Sequence, residues 1–200
     1  DGTDTLWITT LTGQVYRLVN GKIIPFKLPP EAGNSRIRTT FRDSHGTLWL
    51  GTTNQGFIGI SHGHIAGYST KDGLRNNAIN NFFEDRAGRL WIATSSGLSR
   101  WDGKTFRNYY LEDGLIYGNV RVIAEDSGGD LLVGTDGGVS RVHDDRIIAD
   151  PLLASLGREK IFAIHVDPAH FIWVGTRGGG LIRIGNGKIA KLTTDNGLLN

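Results

Sequence analysis

Ile79-Asn-Asn-Phe-Phe-Glu-Asp85-Arg-Ala-Gly88-Arg-Leu-Trp91-Ile-Ala-Thr94-Ser-Ser-Gly97-Leu-Ser-Arg100 is the stretch on which the reading of this 200-residue chain turns. It holds an apolar segment, a turn that opens on aspartate and ends on glycine, and a second apolar segment centred on tryptophan. Glycine takes the left-handed backbone that other side chains resist, and aspartate caps its own backbone, so Asp85 to Gly88 reads as a tight turn between two strands. The pattern is repeated. Trp7, Trp49, Trp91, Leu132 and Trp173 follow one another at intervals of 42, 42, 41 and 41 residues, and six residues before each stands Asp1, Asp43, Asp85, Asp126 or Asp167. Gly46, Gly88 and Gly129 lie three residues after the aspartate, with Asp4 and His170 at the same place in the first and last copies.

Within each copy the strands can be counted. In the second, Ile37 to Arg42, Thr47 to Thr52 and Gly56 to Ser61 are apolar or aromatic segments of strand length. Asn20-Gly21, His62-Gly63, Asp102-Gly103, Asp144-Asp145 and Asn186-Gly187 recur between the third segment and a fourth, exemplified by Ile65 to Tyr68, Thr105 to Tyr109 and Lys188 to Leu192. These pairs suit type I′ hairpins, which need positive φ at both central residues. No segment carries sustained helical periodicity. Four antiparallel strands in about 41 residues is the content of a propeller blade, whose sheet buries its faces against its neighbours. The fold class is therefore all-β, a β-propeller of five four-stranded repeats, with boundaries at 1–36, 37–78, 79–119, 120–160 and 161–200 and the whole chain a single propeller fragment. The recurrent tryptophan reads as a wedge between blades. A solenoid has shorter coils, and a sandwich gives no reason for the period.

Composition narrows the function. Hydrophobic residues make up 38% and charged residues 21%, as in soluble globular proteins. The 22 basic and 20 acidic residues are interspersed and give a net charge of +2, without the basic stripe that grips nucleic acid. No apolar run is long enough to span a bilayer, so no membrane insertion by this segment is expected. The absence of cysteine rules out disulfides and thiolate metal sites.

The stretch quoted first, closing with Phe106, Tyr109 and Asp113-Gly114-Leu115, resembles the two-component regulator propeller repeat. The resemblance runs over essentially the whole chain. It is weakest in the fourth copy, where Leu132 replaces tryptophan and Ala154-Ser155-Leu156 stands near the expected Asp-Gly-Leu, and in the first, where Pro29-Pro30 replaces that motif. It implies an extracytoplasmic, periplasmic sensor module of a bacterial histidine kinase or diguanylate cyclase, some relatives of which recognise carbohydrate fragments. It also implies a larger propeller of about seven blades and a possible homodimer of the full-length protein. The chain starts at a turn aspartate and stops before the next innermost strand would begin, so it is not expected to close alone as a regular five-bladed ring.

Strand alternation puts the loops after the second and fourth strands on one face. That face collects Arg36, Asn54, Gln55, Arg75, Asn76, Ser95, Ser96, Tyr117, Asn119, Asp136, Arg158, Glu159 and Arg177. Of these Arg36, Arg75, Asn76, Tyr117, Asn119, Asp136, Arg158 and Arg177 are the candidate ligand-binding residues, because forked guanidinium donors, amides and an aromatic ring suit sugar hydroxyls or a carboxylate. The expected partner is thus a small molecule, such as a carbohydrate, or another protein. Catalytic signals are thin. His62-Gly-His64 has a spacing found in metal sites but occupies a hairpin turn, and His165 reads as a packed core or channel histidine. Ser95-Ser96 lacks a nucleophile-elbow context, and Gly178-Gly179-Gly180 precedes no helix that would hold phosphate. No catalytic residue, metal or cofactor is expected. The competing class is a propeller enzyme similar to streptogramin lyases, which would need a histidine and two carboxylates converging on a metal.

Overall fold

A computed structural model of the chain describes residues 5–32 and 34–199; Asp1 and Asp4 of the repeat pattern lie outside them. The described residues form nineteen strands in five antiparallel meanders. The first sheet comprises β1 (Leu6–Thr9), β2 (Val15–Val19) and β3 (Lys22–Phe26). The second is β4 (Ile37–Arg42), β5 (Leu48–Thr52), β6 (Phe57–Ser61) and β7 (His64–Tyr68). The third is β8 (Ile79–Glu84), β9 (Leu90–Thr94), β10 (Gly97–Trp101) and β11 (Phe106–Tyr109). The fourth is β12 (Val120–Glu125), β13 (Leu131–Thr135), β14 (Gly138–His143) and β15 (Arg146–Ile148). The fifth is β16 (Ile161–Val166), β17 (Ile172–Thr176), β18 (Leu181–Gly185) and β19 (Lys188–Leu192). The fold is a β-propeller built from four-stranded blades, the first of which shows three strands among the described residues.

The chain divides into two compact units, one of residues up to Ser95 with Ser99–Asn108, the other of Ser96–Leu98 with Tyr109 onward. In the first unit, Val15, Ile37, Leu48, Leu50 and Ile58 form a core between the first and second sheets. Trp49, Phe57, Ile79, Phe82, Leu90 and Ile92 form another between the second and third. Trp49 is thus a wedge between sheets, as its period suggested. In the second unit Leu132, Val139, Leu153, Ile161, Val174 and Ile184 join the fourth and fifth sheets. Each fully buried side chain of this kind contributes about 1.5–3 kcal/mol.

The repeated turn has a role beyond reversing the chain. Asp43, Asp85 and Asp167 each accept a hydrogen bond from the indole Nε1 of the tryptophan six residues on, at 2.8, 2.7 and 2.8 Å. The carboxylate also accepts backbone N–H groups of its own turn, as in Asp85 with Ala87 at 3.0 Å and Arg89 at 2.9 Å. Aspartate, glycine and tryptophan are therefore one local unit that fixes the turn to the second strand. Gly46, Gly88 and Gly129 adopt φ of 84°, 74° and 91°, and His170 is held in the same region at 67°.

A second glycine is required by close approach. A Cβ on Gly51 would lie 2.7 Å from Ile79 Cγ2, and one on Gly134 would lie 2.7 Å from Ile161 Cγ2. In each case the small residue of the second strand admits the first strand of the following sheet.

Four of the five hairpin pairs have the positive φ expected of both residues or of a non-glycine and its glycine: Asn20-Gly21, His62-Gly63, Asp144-Asp145 and Asn186-Gly187. At Asp102-Gly103 only the glycine does. There the Asp102 carboxylate accepts the N–H groups of Lys104 and Thr105 at 2.9 and 2.8 Å, making a longer side-chain-capped turn. The fourth repeat differs more. Where Asp-Gly-Leu stands elsewhere, it has a single helical turn, α1 (Pro151–Ala154), capped by Asp150, whose Oδ1 accepts from Leu152 at 2.9 Å and Leu153 at 3.1 Å. Proline at the first helical position and buried Leu153 hold it in place.

Candidate functional site

The loop after each second strand is anchored by its last residue. Thr52, Thr135 and Thr176 donate Oγ1–H to the carbonyls of Gly56, Gly138 and Gly180 at 2.8, 2.9 and 2.9 Å. The next residue donates its backbone N–H to the residue that precedes the first strand: Thr53 to Arg36, Asp136 to Asn119 and Arg177 to Lys160, at 3.0, 3.1 and 2.9 Å. A side chain on such a loop is thus presented by a fixed backbone.

In the second unit these loops enclose a cleft of about 560 Å³ lined by Ile116, Tyr117, Asp136, Gly137, Ala154, Gly157 and Arg158. Tyr117 is 50% exposed, and its ring lies over Gly137, where a Cβ would come within 2.9 Å of it. The α1 segment forms the other wall. Its position depends on Arg141, whose Nε donates to Asp150 Oδ2 at 2.8 Å while Nη1 binds Asp126 and, at 3.0 Å, Asp130. Arg141 stands opposite Leu132 in the β13–β14 ladder. In the first and fifth sheets that cross-strand position is Arg17 or Arg183 stacked on tryptophan, with guanidinium-to-ring distances of 5.9 and 5.6 Å. With leucine in place of the indole, the arginine turns to the carboxylates. Burial disfavours its charge, but the hydrogen bonds it donates to Asp126, Asp150 and Asp130 prevail and raise its pKa.

Asp136 is the acidic group of the cleft and is not free. Arg121 grips it with two nitrogens, Asn119 Nδ2 donates at 2.8 Å and Lys160 Nζ lies 3.8 Å away. The hydrogen bond from Arg121 is the main reason that its pKa is lowered, followed, against the penalty of burial, by Asn119 and the charges of Arg121 and Lys160. Arg121 reaches Asp136 because β12 has a bulge there: the ladder to β13 jumps between Val120 and Val122. The same jump occurs at Arg38, Asn80 and Phe162 in the other first strands. Bulges re-aim side chains. Arg38 Nη1 donates to Asn80 Oδ1 at 2.6 Å, and Arg121 lies 4.7 Å above the Phe162 ring.

Of the eight candidate residues, the structure brings Tyr117, Asp136 and Arg158 to one cleft, with Asn119 behind Asp136. Arg177 is tied by its backbone to Lys160 but is not among the lining residues. Arg36, Arg75 and Asn76 belong to the first unit, where Arg36 accepts Thr53, the Arg75 N–H donates to Ser99 Oγ at 3.3 Å and Asn76 Oδ1 accepts Ala78 at 2.8 Å. The residues that sequence reasoning missed are Arg121 and Lys160, and the apolar Ile116 and Ala154. The signal for Arg121 was available: positions 38, 80, 121 and 162 hold Arg, Asn, Arg and Phe directly after the β-branched Ile37, Ile79, Val120 and Ile161. His165, read as a packed core or channel histidine, is exposed on β16 opposite Trp173 and is therefore not a core residue. His62 occupies its turn at φ 48°, with Nδ1 3.0 Å from Ser61 Oγ. Among the described residues no three histidine, aspartate or glutamate side chains gather as a metal ion would require.

Residues 31–54 and 73–96 match the sequence profile described as Two component regulator propeller. Two of the repeats thus match that family's profile. The two matched stretches each run from the loop before a first strand to the loop after the second strand, the part that contains the Asp-Gly turn and the tryptophan. Solved structures similar to this propeller include the extracellular domains of two hybrid two component systems of B. thetaiotaomicron. For BT4673 the TM-score is 0.74 at 22% identity over 96% of this chain, and for BT3049 it is 0.66 at 18% identity over 87%. Virginiamycin B lyase from Staphylococcus aureus is similar too, with a TM-score of 0.73 at 20% identity over 98% of the chain. At these identities the likeness is one of fold. The chain spans 28% and 27% of the two extracellular domains and 69% of the lyase. No curated protein matches the sequence. No helix among the described residues is long and apolar enough to cross a membrane.

Proposed function

We propose that this regulator-type propeller is an extracytoplasmic ligand-sensing module of a bacterial two-component-type signalling protein, and that the Tyr117–Arg158 cleft is its docking site. The observation that carries the reading is the pairing, in one cleft, of a half-exposed aromatic ring with an arginine that makes no side-chain bond among the described residues. Concave sites with an apolar lining and a few placed polar groups are where small ligands bind. A tyrosine face and a guanidinium fork suit a ring-shaped polar molecule, a carbohydrate fragment being the first class to try. The family of the repeats and the extracellular origin of similar structures support a periplasmic placement. Binding, not turnover, is the proposed activity, so a bound molecule is recovered unchanged.

The test is calorimetric titration of the chain with a panel of mono- and oligosaccharides. Binding by any member that Tyr117→Ala weakens at least tenfold, while Arg36→Gln leaves it intact, supports the cleft. Binding that ignores Tyr117 and Arg158 but is lost on Arg36→Gln or Arg75→Gln places the site on the first unit instead and overturns this assignment.

A further inference from the structure

Resting on that reading of the cleft, we infer that its ligand is an organic anion: a six-membered ring bearing a carboxylate, with the ring against Tyr117 and the carboxylate on Arg158. The argument is one of charge. Two charged side chains line the cleft, Asp136 and Arg158. The Asp136 carboxylate is already matched by the two-nitrogen grip of Arg121 and the amide of Asn119, and Lys160 adds a second cation 3.8 Å from it. Most of its lone pairs are taken, so it is a buttress for Arg121 and not an acceptor for ligand hydroxyls. Glu159, the neighbour of Arg158, is itself engaged by Lys191 at 3.2 Å. What the cleft offers a guest is therefore surplus positive charge with one guanidinium whose donors are uncommitted.

Geometry adds the ring. Tyr117 packs against Gly137, and the remaining lining, Ile116, Ala154 and Gly157, has no side-chain donor or acceptor. A purely polar anion such as phosphate would leave that apolar wall uncovered, whereas a cyclic carboxylate covers it and places its charge at the edge. Guanidinium binds carboxylate through two parallel hydrogen bonds, which a lysine would not reproduce.

Four probes separate the possibilities: glucuronate and benzoate, which share ring and carboxylate, and their neutral counterparts glucose and benzyl alcohol. Each is titrated into isotope-labelled chain while the amide signals of Gly137 and Gly157 and the Arg158 Nε–H signal are followed. The expected result is that glucuronate or benzoate moves these signals, with affinity at least tenfold above its neutral counterpart and reduced tenfold or more by Arg158→Gln. Binding should also weaken as salt is raised. Arg158 is exposed and unpaired, so the variant folds, which its unchanged spectrum away from the cleft verifies. Neutral probes that bind as well as the acids, with Arg158→Gln silent, overturn the anion inference and leave the cleft as a site. If none of the four moves any of the three signals, the anion inference and the cleft assignment fall together. Which acid binds more tightly then tells a sugar acid from an aromatic one.

Discussion

Trp91 is 1% exposed and donates its indole N–H to a carboxylate that is itself 4% exposed, so neither partner can turn to water when the other is lost. Replacing Trp91 by Phe removes the donor and leaves a cavity where the second ring stood; we expect a loss of about 3 kcal/mol from the buried carboxylate left one hydrogen bond short and the lost contacts together, measurable by urea unfolding. Asp85 also predicts a pH response. Burial pushes its pKa up, but the hydrogen bonds from Trp91 and Arg89 and the Arg89 charge outweigh burial and hold it below the ordinary aspartate value. A depressed folded pKa contributes stability above the unfolded value of about 4 and loses it as pH falls through the folded one. Asp85→Asn should therefore lower stability at pH 7 and flatten its decline in acid. His170 offers the opposite case. Its φ of 67° is the conformation for which the sister turns use glycine, so His170→Gly should stabilise the chain by up to about 1 kcal/mol, read as a higher melting temperature. The six-residue spacing of aspartate and tryptophan was plain in the sequence; that the two touch was not read, because a repeat shows what recurs and not which members bond.

Strands and hairpins were legible from the alternation of apolar segments with Asp-Gly and Asn-Gly turns, and their ends moved by a residue or so. The α1 turn was not, since four residues leave no period to detect and the cue lay in Asp150-Pro151 at a helix start. The fourth repeat is also where the shared wedge is missing and where Arg141 links the Asp126 turn, Asp130 and the cap of α1. Arg141→Leu strands three partly buried carboxylates, and we expect a loss of about 3 kcal/mol in stability. Because Asp150 then loses its tether, the same variant should weaken ligand binding in the cleft without touching the ligand, a combination that calorimetry and thermal melts resolve. At the sheet interface, Gly51→Ala forces a methyl into Ile79 and Thr39, both nearer than 3 Å, at a cost of about 1–3 kcal/mol on unfolding. The glycine recurs two residues after Trp49, Leu132 and Trp173, with Ala93 in its place after Trp91; only the neighbouring sheet reveals why alanine would not serve at position 51.

For the molecule as a whole, Asp85, Asp136 and Asp150 share a lowered pKa, each through hydrogen bonds and a guanidinium partner and against burial. Their contributions are present above about pH 4 and are withdrawn together below it. Thermal stability is therefore expected to fall steeply under about pH 4, as differential scanning calorimetry would show. The period of the repeats disclosed the architecture, while the cleft needed the places at which the repeats differ. Sequence reasoning looked for those differences in the loops and named Tyr117, Asp136 and Arg158 among eight candidates, three that share the proposed cleft, but it treated the first strands as uniform scaffolding and passed over Arg121.

The extra residue in the first strand of the last four sheets, carried by Arg38, Asn80, Arg121 and Phe162, has no partner in the ladder and so answers to no pairing rule. Strand pairing leaves each of these positions free to vary; what limits them is the neighbour the side chain reaches, Asn80 for Arg38 and Asp136 for Arg121. Relatives could thus diverge in taste while keeping one skeleton, and an engineer who wished to retrain the module would vary those sites together with the loop residues Tyr117 and Arg158.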